Sequence, residues 1–231
     1  MSIGAVIVAA GSGKRMGANG NKLWLSLAGK SILAHTVERF ATHPLIKETI
    51  LVVSELDYQE VLNWLTTVPY QDRIKVTIGG AERQDSVRSG LHKLSDSIEY
   101  VLVHDGARPF ITDEQIQAII TQVRFDQATV MAVPVKDTIK VVNQAGIVQS
   151  TPERQSLYSV QTPQAFRLSL LKEAHQKANE TNQLGTDDAM LVEWLGQPVS
   201  VIMGSYENIK ITTPDDLWFG EEILRKRKER E

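Results

Sequence analysis

Short, nearly unbroken apolar runs alternate with amphipathic stretches along the chain. The first run, residues 3–9, carries β-branched side chains at Ile3, Val6, Ile7 and Val8, as a buried strand does. Further strand candidates are 49–53, 74–78, 100–103, 129–133 and 199–203. These runs are continuous rather than alternating, so the sheet they build is covered on both faces. The segments between them read as helices with recognisable starts. Thr112 stands three residues before Gln115, a capping box, and Ile116, Ile119, Ile120 and Val123 then form a helical stripe. Thr186 precedes Asp187 and Asp188, and Leu195-Gly196-Gln197-Pro198 supplies a stop. Thr213-Pro214-Asp215-Asp216 puts a capping Thr before a Pro at the first helical position. Strand–helix alternation of this kind predicts an α/β fold with a parallel, doubly wound sheet.

One segment breaks the pattern. Residues 136–150 read as two short strands, 138–142 and 147–150, joined by a turn at Asn143-Gln144-Ala145-Gly146. A hairpin inserted in a parallel fold serves as an arm that reaches a neighbour, or else as a local flap. No internal repeat, low-complexity tract or linker interrupts the 231 residues, which predicts one domain.

Composition narrows the function classes. A hydrophobic content of 42% and a charged content of 23% are those of a globular protein able to bury a core unaided. The net charge of −3 leaves no electrostatic footprint for nucleic acid. The basic run Arg225-Lys226-Arg227-Lys228 is diluted by Glu229 and Glu231 and reads as a solvated helix end. Without cysteine there is no disulfide, thiolate catalysis or thiolate metal site, which suits a reducing cytoplasm, the expected compartment. No basic segment precedes the apolar run at Ile3, so no signal peptide is expected, and no stretch nears the roughly 18 apolar residues of a membrane span. The five histidines are scattered without a His-x-x-x-His pair, so zinc is not expected.

Three segments carry candidate chemistry. Ala9-Ala10-Gly11-Ser12-Gly13-Lys14-Arg15-Met16-Gly17 follows the first strand, where open α/β sheets bind ligands. Its glycines let backbone N–H groups approach a polyphosphate. The third glycine is one residue late for a dinucleotide fingerprint, and the Gly-Lys-Ser/Thr ending of a P-loop is missing. The loop brings its own cations instead, Lys14 and Arg15, with Lys22 shortly after. It reads as a triphosphate cradle, against a tight turn with solvated basic residues. The second segment runs from Gly79-Gly80 to Leu91 and opens a helix. Its glycines permit close approach to a planar ligand and Ser86 could bond a base or sugar; an ordinary helix cap is the other reading. The third is Val103-His104-Asp105-Gly106-Ala107-Arg108-Pro109-Phe110. Asp105 and Arg108 at a strand's carboxyl end suit Mg²⁺ and a phosphate, or form a structural ion pair. His104 reads as a buried strand-end residue. Elsewhere, Arg154 and Lys210 are the cations placed to read a second anionic substrate.

In this order, the segments 9–17, 79–91, 103–110, 132–140, 161–166 and 208–217 resemble the 2-C-methyl-D-erythritol 4-phosphate cytidylyltransferase family, over residues 6–217. The resemblance implies a Rossmann-like nucleotidyltransferase fold, a homodimer formed through an arm at 136–155, and transfer of CMP from CTP to methylerythritol phosphate with Mg²⁺ in non-mevalonate isoprenoid synthesis. It implies that Arg15 and Lys22 stabilise the transition state, while Arg154 and Lys210 orient methylerythritol phosphate. Ala9, Ala10, Gly11, Gly13, Gly80, Ser86, Asp105 and Gly106 would line the CTP site. Asp105, Thr138 and Thr186 would approach the second substrate, with Thr138 and Arg154 reaching across the dimer. Arg108 joins this anion-binding set, and Asp105 is the metal ligand. Leu23 follows Lys22 where many members have Gln, and Ala81 stands where some carry an acidic residue, which leaves base selection to backbone groups. Ribitol-5-phosphate cytidylyltransferases share fold and nucleotide, but the segments 161–166 and 105–108 favour methylerythritol phosphate. An inactive nucleotide-binding homologue is disfavoured by retention of Arg15, Lys22, Asp105, Arg154 and Lys210.

Overall fold

The computed structural model describes residues 2–11 and 22–230. The central sheet is made of β1 (Ile3–Val8), β4 (Ile46–Val53), β5 (Ile74–Ile78), β6 (Tyr100–Asp105), β7 (Ala128–Pro134), β10 (Tyr158–Arg167) and β11 (Ser200–Met203), in the order β11-β7-β10-β6-β1-β4-β5. Two small ribbons stand apart, β2 (Ser26–Leu27) with β3 (Lys30–Ser31), and β8 (Val141–Val142) with β9 (Val148–Ser150). The helices are α1 (Ile32–Thr42), α2 (Tyr58–Leu65), α3 (Arg83–Lys93), α4 (Asp113–Asp126), α5 (Leu168–Glu180), α6 (Asp188–Trp194) and α7 (Pro214–Lys228).

Alternation along the buried strands sorts the core into two layers. Ile3, Ala5 and Ile7 of β1 join Leu33, Val37 and Phe40 of α1, Val61 of α2 and Ile116, Ile119 and Val123 of α4. Val6 of the same strand joins Val87 and Leu91 of α3, Leu171 and Ala174 of α5 and Leu191 and Val192 of α6. Both faces are therefore covered, as the continuous apolar runs require. The capping boxes of α4 (Thr112 with Gln115) and α7 (Thr213 with Asp216) are both formed, with Pro214 at the first turn. At α6 the cap is Asp187, whose carboxylate accepts from Met190 N–H, rather than Thr186.

All neighbouring strands of the main sheet run parallel except β10, which is antiparallel to both β6 and β7. The apolar pattern hides this strand, because polar Gln161, Thr162 and Gln164 and the donorless Pro163 lie in its middle. Its pairing with β7 shifts register between Val160 and Gln164, where a proline is tolerated. The hairpin at 136–150 is present with shorter strands than expected. Its turn is held by Asn143 Oδ1, which accepts from the N–H groups of Ala145 (3.1 Å) and Ile147 (2.9 Å), and Gly146 takes φ +77°. The basic run at the end of α7 departs in part from the solvated reading. Arg227 Nη2 donates to Phe110 O at 2.9 Å and its Nε to Glu207 at 3.1 Å, tying α7 to the loop before α4.

Candidate active site

The carboxyl ends of β1, β5 and β6 emerge on one edge of the sheet, and hydrogen bonds to neighbouring strands hold their loops. Ala9 N–H donates to Val52 O (2.7 Å), Gly79 N–H to Val53 O (2.8 Å) and Gly106 N–H to Val8 O (2.9 Å). The loops approach one another most closely where two residues lack a Cβ. A Cβ on Gly79 would stand 2.7 Å from Ala10 Cβ, and one on Gly106 would stand 3.2 Å from both Ala9 Cβ and Val8 O. Ala9, Ala10, Gly79 and Gly106 are thus brought together. Gly13 and Arg15 lie outside the described residues, as does the side chain of Lys22.

Ser86 is buried within this cluster. Its Oγ accepts from Gly80 N–H (3.2 Å) and donates to Glu82 O (3.1 Å), so it holds the glycine turn from inside. The start of α3 is closed by a capping box between Glu82 and Asp85.

Asp105 is the electrostatic centre of the edge. It terminates β6 and is 8% exposed. Its Oδ2 lies 2.7 Å from Lys210 Nζ and 3.9 Å from Arg108 Nε, and its Oδ1 lies 3.3 Å from Arg83 Nε. The Asp105–Arg108 ion pair allowed by the sequence is present, but Lys210 and Arg83 approach more closely. Burial, the largest influence, opposes the charge on Asp105. The combined attraction of Arg83, Lys210 and Arg108 outweighs it and holds the carboxyl well below the usual carboxylate range. Arg108 donates through Nη1 to Asn208 O (2.7 Å), while its buried Nε has no hydrogen-bond partner and faces the carboxylate. A guanidinium with a donor in hand, beside an exchangeable lysine, is equipped to take an anionic group.

Several residues that position this cluster lie within motif segments but were not marked as site residues. Thr162 Oγ1 accepts from Asp105 N–H (3.0 Å). Thr162 O accepts from Asn208 Nδ2 (2.9 Å), and Ile211 N–H donates to Ala107 O (2.8 Å). β10 and the 208–211 segment thereby place Lys210 over Asp105. Arg83, inside a motif segment but not marked as a site residue, also reaches Asp188 at 2.7 Å. Asp188 and its partner His175 (3.1 Å) are both buried. Removing Arg83 would leave the buried carboxylate of Asp188 without its counter-charge, which costs about 3–5 kcal/mol. Only the adjacent acidic pair Asp187-Asp188 hinted at this group, and helix capping explains such a pair equally well.

Other candidates stay apart from the cluster. Thr138, Arg154 and Thr186 are exposed, and Arg154 Nη1 donates to Lys136 O (3.0 Å) at the base of the arm. Among the described residues, no hydrogen bond or ion pair joins Arg154 or Thr138 to Asp105 or Lys210. Among the same residues, no group of three His, Cys, Asp or Glu side chains could hold a metal ion.

His104 is fully buried against Phe40, with ring centroids 4.7 Å apart, and its Nε2–H donates to Arg108 O at 3.0 Å. Burial drives its pKa down to about 4, so the ring is neutral at neutral pH, as expected of a structural residue. The folded value lies below the unfolded one near 6.5, so His104 contributes stability that is complete above about pH 6.5 and is lost as pH falls toward 4. The shift corresponds to about 3 kcal/mol. Urea unfolding of His104→Phe should therefore show less loss of stability between pH 6.5 and 4 than the parent chain. Parallel curves for the two proteins would contradict this account.

A mostly parallel sheet that gathers close-packed backbone and a crowd of cations at its carboxyl edge is the working surface of a Rossmann-like nucleotidyltransferase, the class this fold and site define. A family profile described as 2-C-methyl-D-erythritol 4-phosphate cytidylyltransferase matches residues 3–226. Relatives bearing that name are 50% identical over 221 residues in Bacillus velezensis (95% of this chain, 94% of that one) and 48% over 227 in Alkaliphilus metalliredigens (98% and 94%). The crystal structure of a 4-diphosphocytidyl-2C-methyl-D-erythritol synthase from Anaerococcus prevotii superposes with a TM-score of 0.87 at 34% identity, covering 97% of this chain and 96% of that one. The chain belongs to the 2-C-methyl-D-erythritol 4-phosphate cytidylyltransferase family.

Proposed function

We propose a division of labour among these residues for the cytidylyl transfer of this family, carried by one observation: Asp105 is gathered with Lys210, Arg108 and Arg83 beside the loops of β1 and β5. CMP passes from CTP to the phosphate of 2-C-methyl-D-erythritol 4-phosphate. A phosphate oxygen of the acceptor bonds to the α-phosphorus, the bond to the β-phosphate breaks, and pyrophosphate departs with the product 4-diphosphocytidyl-2-C-methyl-D-erythritol. The acceptor is largely ionised at neutral pH, its second pKa being near 6, so no side chain need remove a proton. What remains is alignment and neutralisation of charge on the phosphorus oxygens.

Ala9, Ala10, Gly11, Gly13, Gly80, Ser86 and Gly106 form the CTP side, with Ser86 shaping the turn that presents Gly80. Arg15 and Lys22 stabilise the transition state. Lys210 and Arg108 leave Asp105 to hold the second substrate's phosphate, with Thr186 at the rim. Asp105 fits a divalent cation that arrives on the triphosphate, because Mg²⁺ is content with one or two carboxylates plus phosphate oxygens. Such an ion supplies charge withdrawal from the phosphates. Arg154 and Thr138 are exposed at the arm and serve the neighbouring subunit of a homodimer. Support for that pairing is the apolar surface of the arm, where Val142, Ile147 and Val148 are each more than half exposed. Residues 136–155 thus form the arm of a single nucleotidyltransferase domain. Among the described residues no helix is long and apolar enough to cross a membrane. With no cysteine in the chain, we place the reaction in the cytoplasm.

The test is pyrophosphate release from CTP with Mg²⁺ and each sugar phosphate in turn. Release with methylerythritol phosphate is expected. Release with ribitol 5-phosphate alone would reassign the acceptor, and release with neither would leave a nucleotide-binding homologue.

A further inference from the structure

Arg83 is shared between two carboxylates of different character. Its Nη1 donates to Asp188 at 2.7 Å, and its Nε donates to Asp105 at the longer distance of 3.3 Å. Asp188 is 1% exposed and cannot meet a substrate, whereas Asp105 stands at the working edge. Asp188 is itself held on three sides. His175 Nε2–H donates to its Oδ1 at 3.1 Å, and Gln164 Oε1 accepts from the backbone N–H groups of Asp188 and Ala189, both at 3.2 Å. Gln164 Nε2 also donates to Asp187 at 2.7 Å. Gln164 sits on β10 opposite Val103 of β6, two residues before Asp105. The first turn of α6 is therefore pinned to β10, the neighbour of the strand that carries Asp105, and Arg83 closes the circuit from the first turn of α3.

The three cations around Asp105 differ accordingly. Lys210 is 39% exposed and has Asp105 as its ion-pair partner, so it can turn to an incoming phosphate. Arg108 is the most distant and has an unused donor. Arg83 alone is anchored elsewhere by a buried carboxylate.

We propose that Asp188, steadied by His175 and Gln164, is a positioning residue that keeps Arg83 beside Asp105 when Lys210 and Arg108 turn to substrate. Without that anchor Arg83 has, among the described residues, only Asp105 to neutralise it. The guanidinium then collapses onto the carboxylate with both edges and withdraws it from substrate or metal. The inference rests on the reading of Asp105 as a substrate-facing group.

The experiment is a double-mutant cycle on kcat/KM for methylerythritol phosphate at saturating CTP, using Asp188→Asn, Arg83→Gln and the pair, with thermal unfolding of each protein. Asp188→Asn preserves shape and removes the charge. Each single change should lower kcat/KM about 10-fold or more, and Asp188→Asn should add less than about 2-fold once Arg83 is Gln. A merely structural Asp188 would lower thermal stability while kcat/KM of the folded protein stays within about 2-fold of the parent, and that result, or an Asp188→Asn loss that persists undiminished once Arg83 is Gln, would overturn the proposal. If Asp188→Asn does not fold, His175→Leu takes its place in the same cycle under the same criterion, while His175→Gln, which restores a donor to Asp188, should stay within about 2-fold of the parent. Asp105→Asn runs alongside. Normal turnover there would instead remove the substrate-facing role of Asp105.

Discussion

Arg15→Ala and Lys22→Ala are each expected to lower kcat about 100-fold or more while leaving the affinity for CTP within a few-fold of the parent, as for a lost transition-state donor. The expectation follows from what the reaction does not need. The attacking phosphate oxygen requires no general base, and His104, adjacent to Asp105 in the chain, is buried and neutral with its Nε2–H committed to Arg108 O. Stabilising charge that develops as pyrophosphate leaves is the main task left to the protein. Arg15 and Lys22, which follow β1 in the chain, are the two cations assigned to that charge in the proposed division of labour. Single-turnover rates together with equilibrium CTP binding separate the two effects, and near-normal turnover in either variant would defeat the assignment.

Asp105→Asn carries the second large effect, a fall in kcat/KM for methylerythritol phosphate of about 100-fold or more. The substitution removes the charge around which Lys210, Arg108 and Arg83 are organised, at 2.7, 3.9 and 3.3 Å. Arg83 keeps Asp188 at 2.7 Å, but Lys210 and Arg108 lose the carboxylate they share, so they are no longer held in place for the incoming phosphate. Because folded Asp105 titrates below the ordinary range, its stabilising contribution is present above about pH 4 and is lost only as pH falls below that. Thermal unfolding should therefore show Asp105→Asn less stable than the parent at pH 7, with the difference narrowing toward strongly acid pH. Parent-like kinetics and stability at neutral pH would show that the cations are organised by something else.

Much of the fold was legible because burial on both faces writes itself into sequence as continuous apolar runs. β1, β4, β6 and β7 announce themselves this way; the edge strands β5 and β11 do so by short β-branched runs although they are partly exposed, and capping residues mark the starts of α4 and α7. β10 escaped because its middle residues work for the site. Thr162 holds Asp105 N–H, Gln161 Nε2 donates to Ser205 O, and Gln164 pins α6, so the polarity that conceals the strand is the polarity that positions the cluster. Arg83 escaped for a related reason. Its importance comes from partners 22 and 105 residues away in the chain, and no local spacing reports them.

By itself, the sequence determined the layered α/β plan, the glycine turn at Gly79-Gly80 and the candidacy of Lys210 and Arg108, because periodicity, capping and the absence of a Cβ are local properties of the chain. Which cations meet at Asp105, that Ser86 faces inward to support Gly80, and that Asp188 anchors Arg83 were decided only in three dimensions. The physical reason is distance. Coulomb attraction and hydrogen bonds act over a few ångströms of space, and β6, β10 and the starts of α3 and α6 come within that range only when the sheet is assembled.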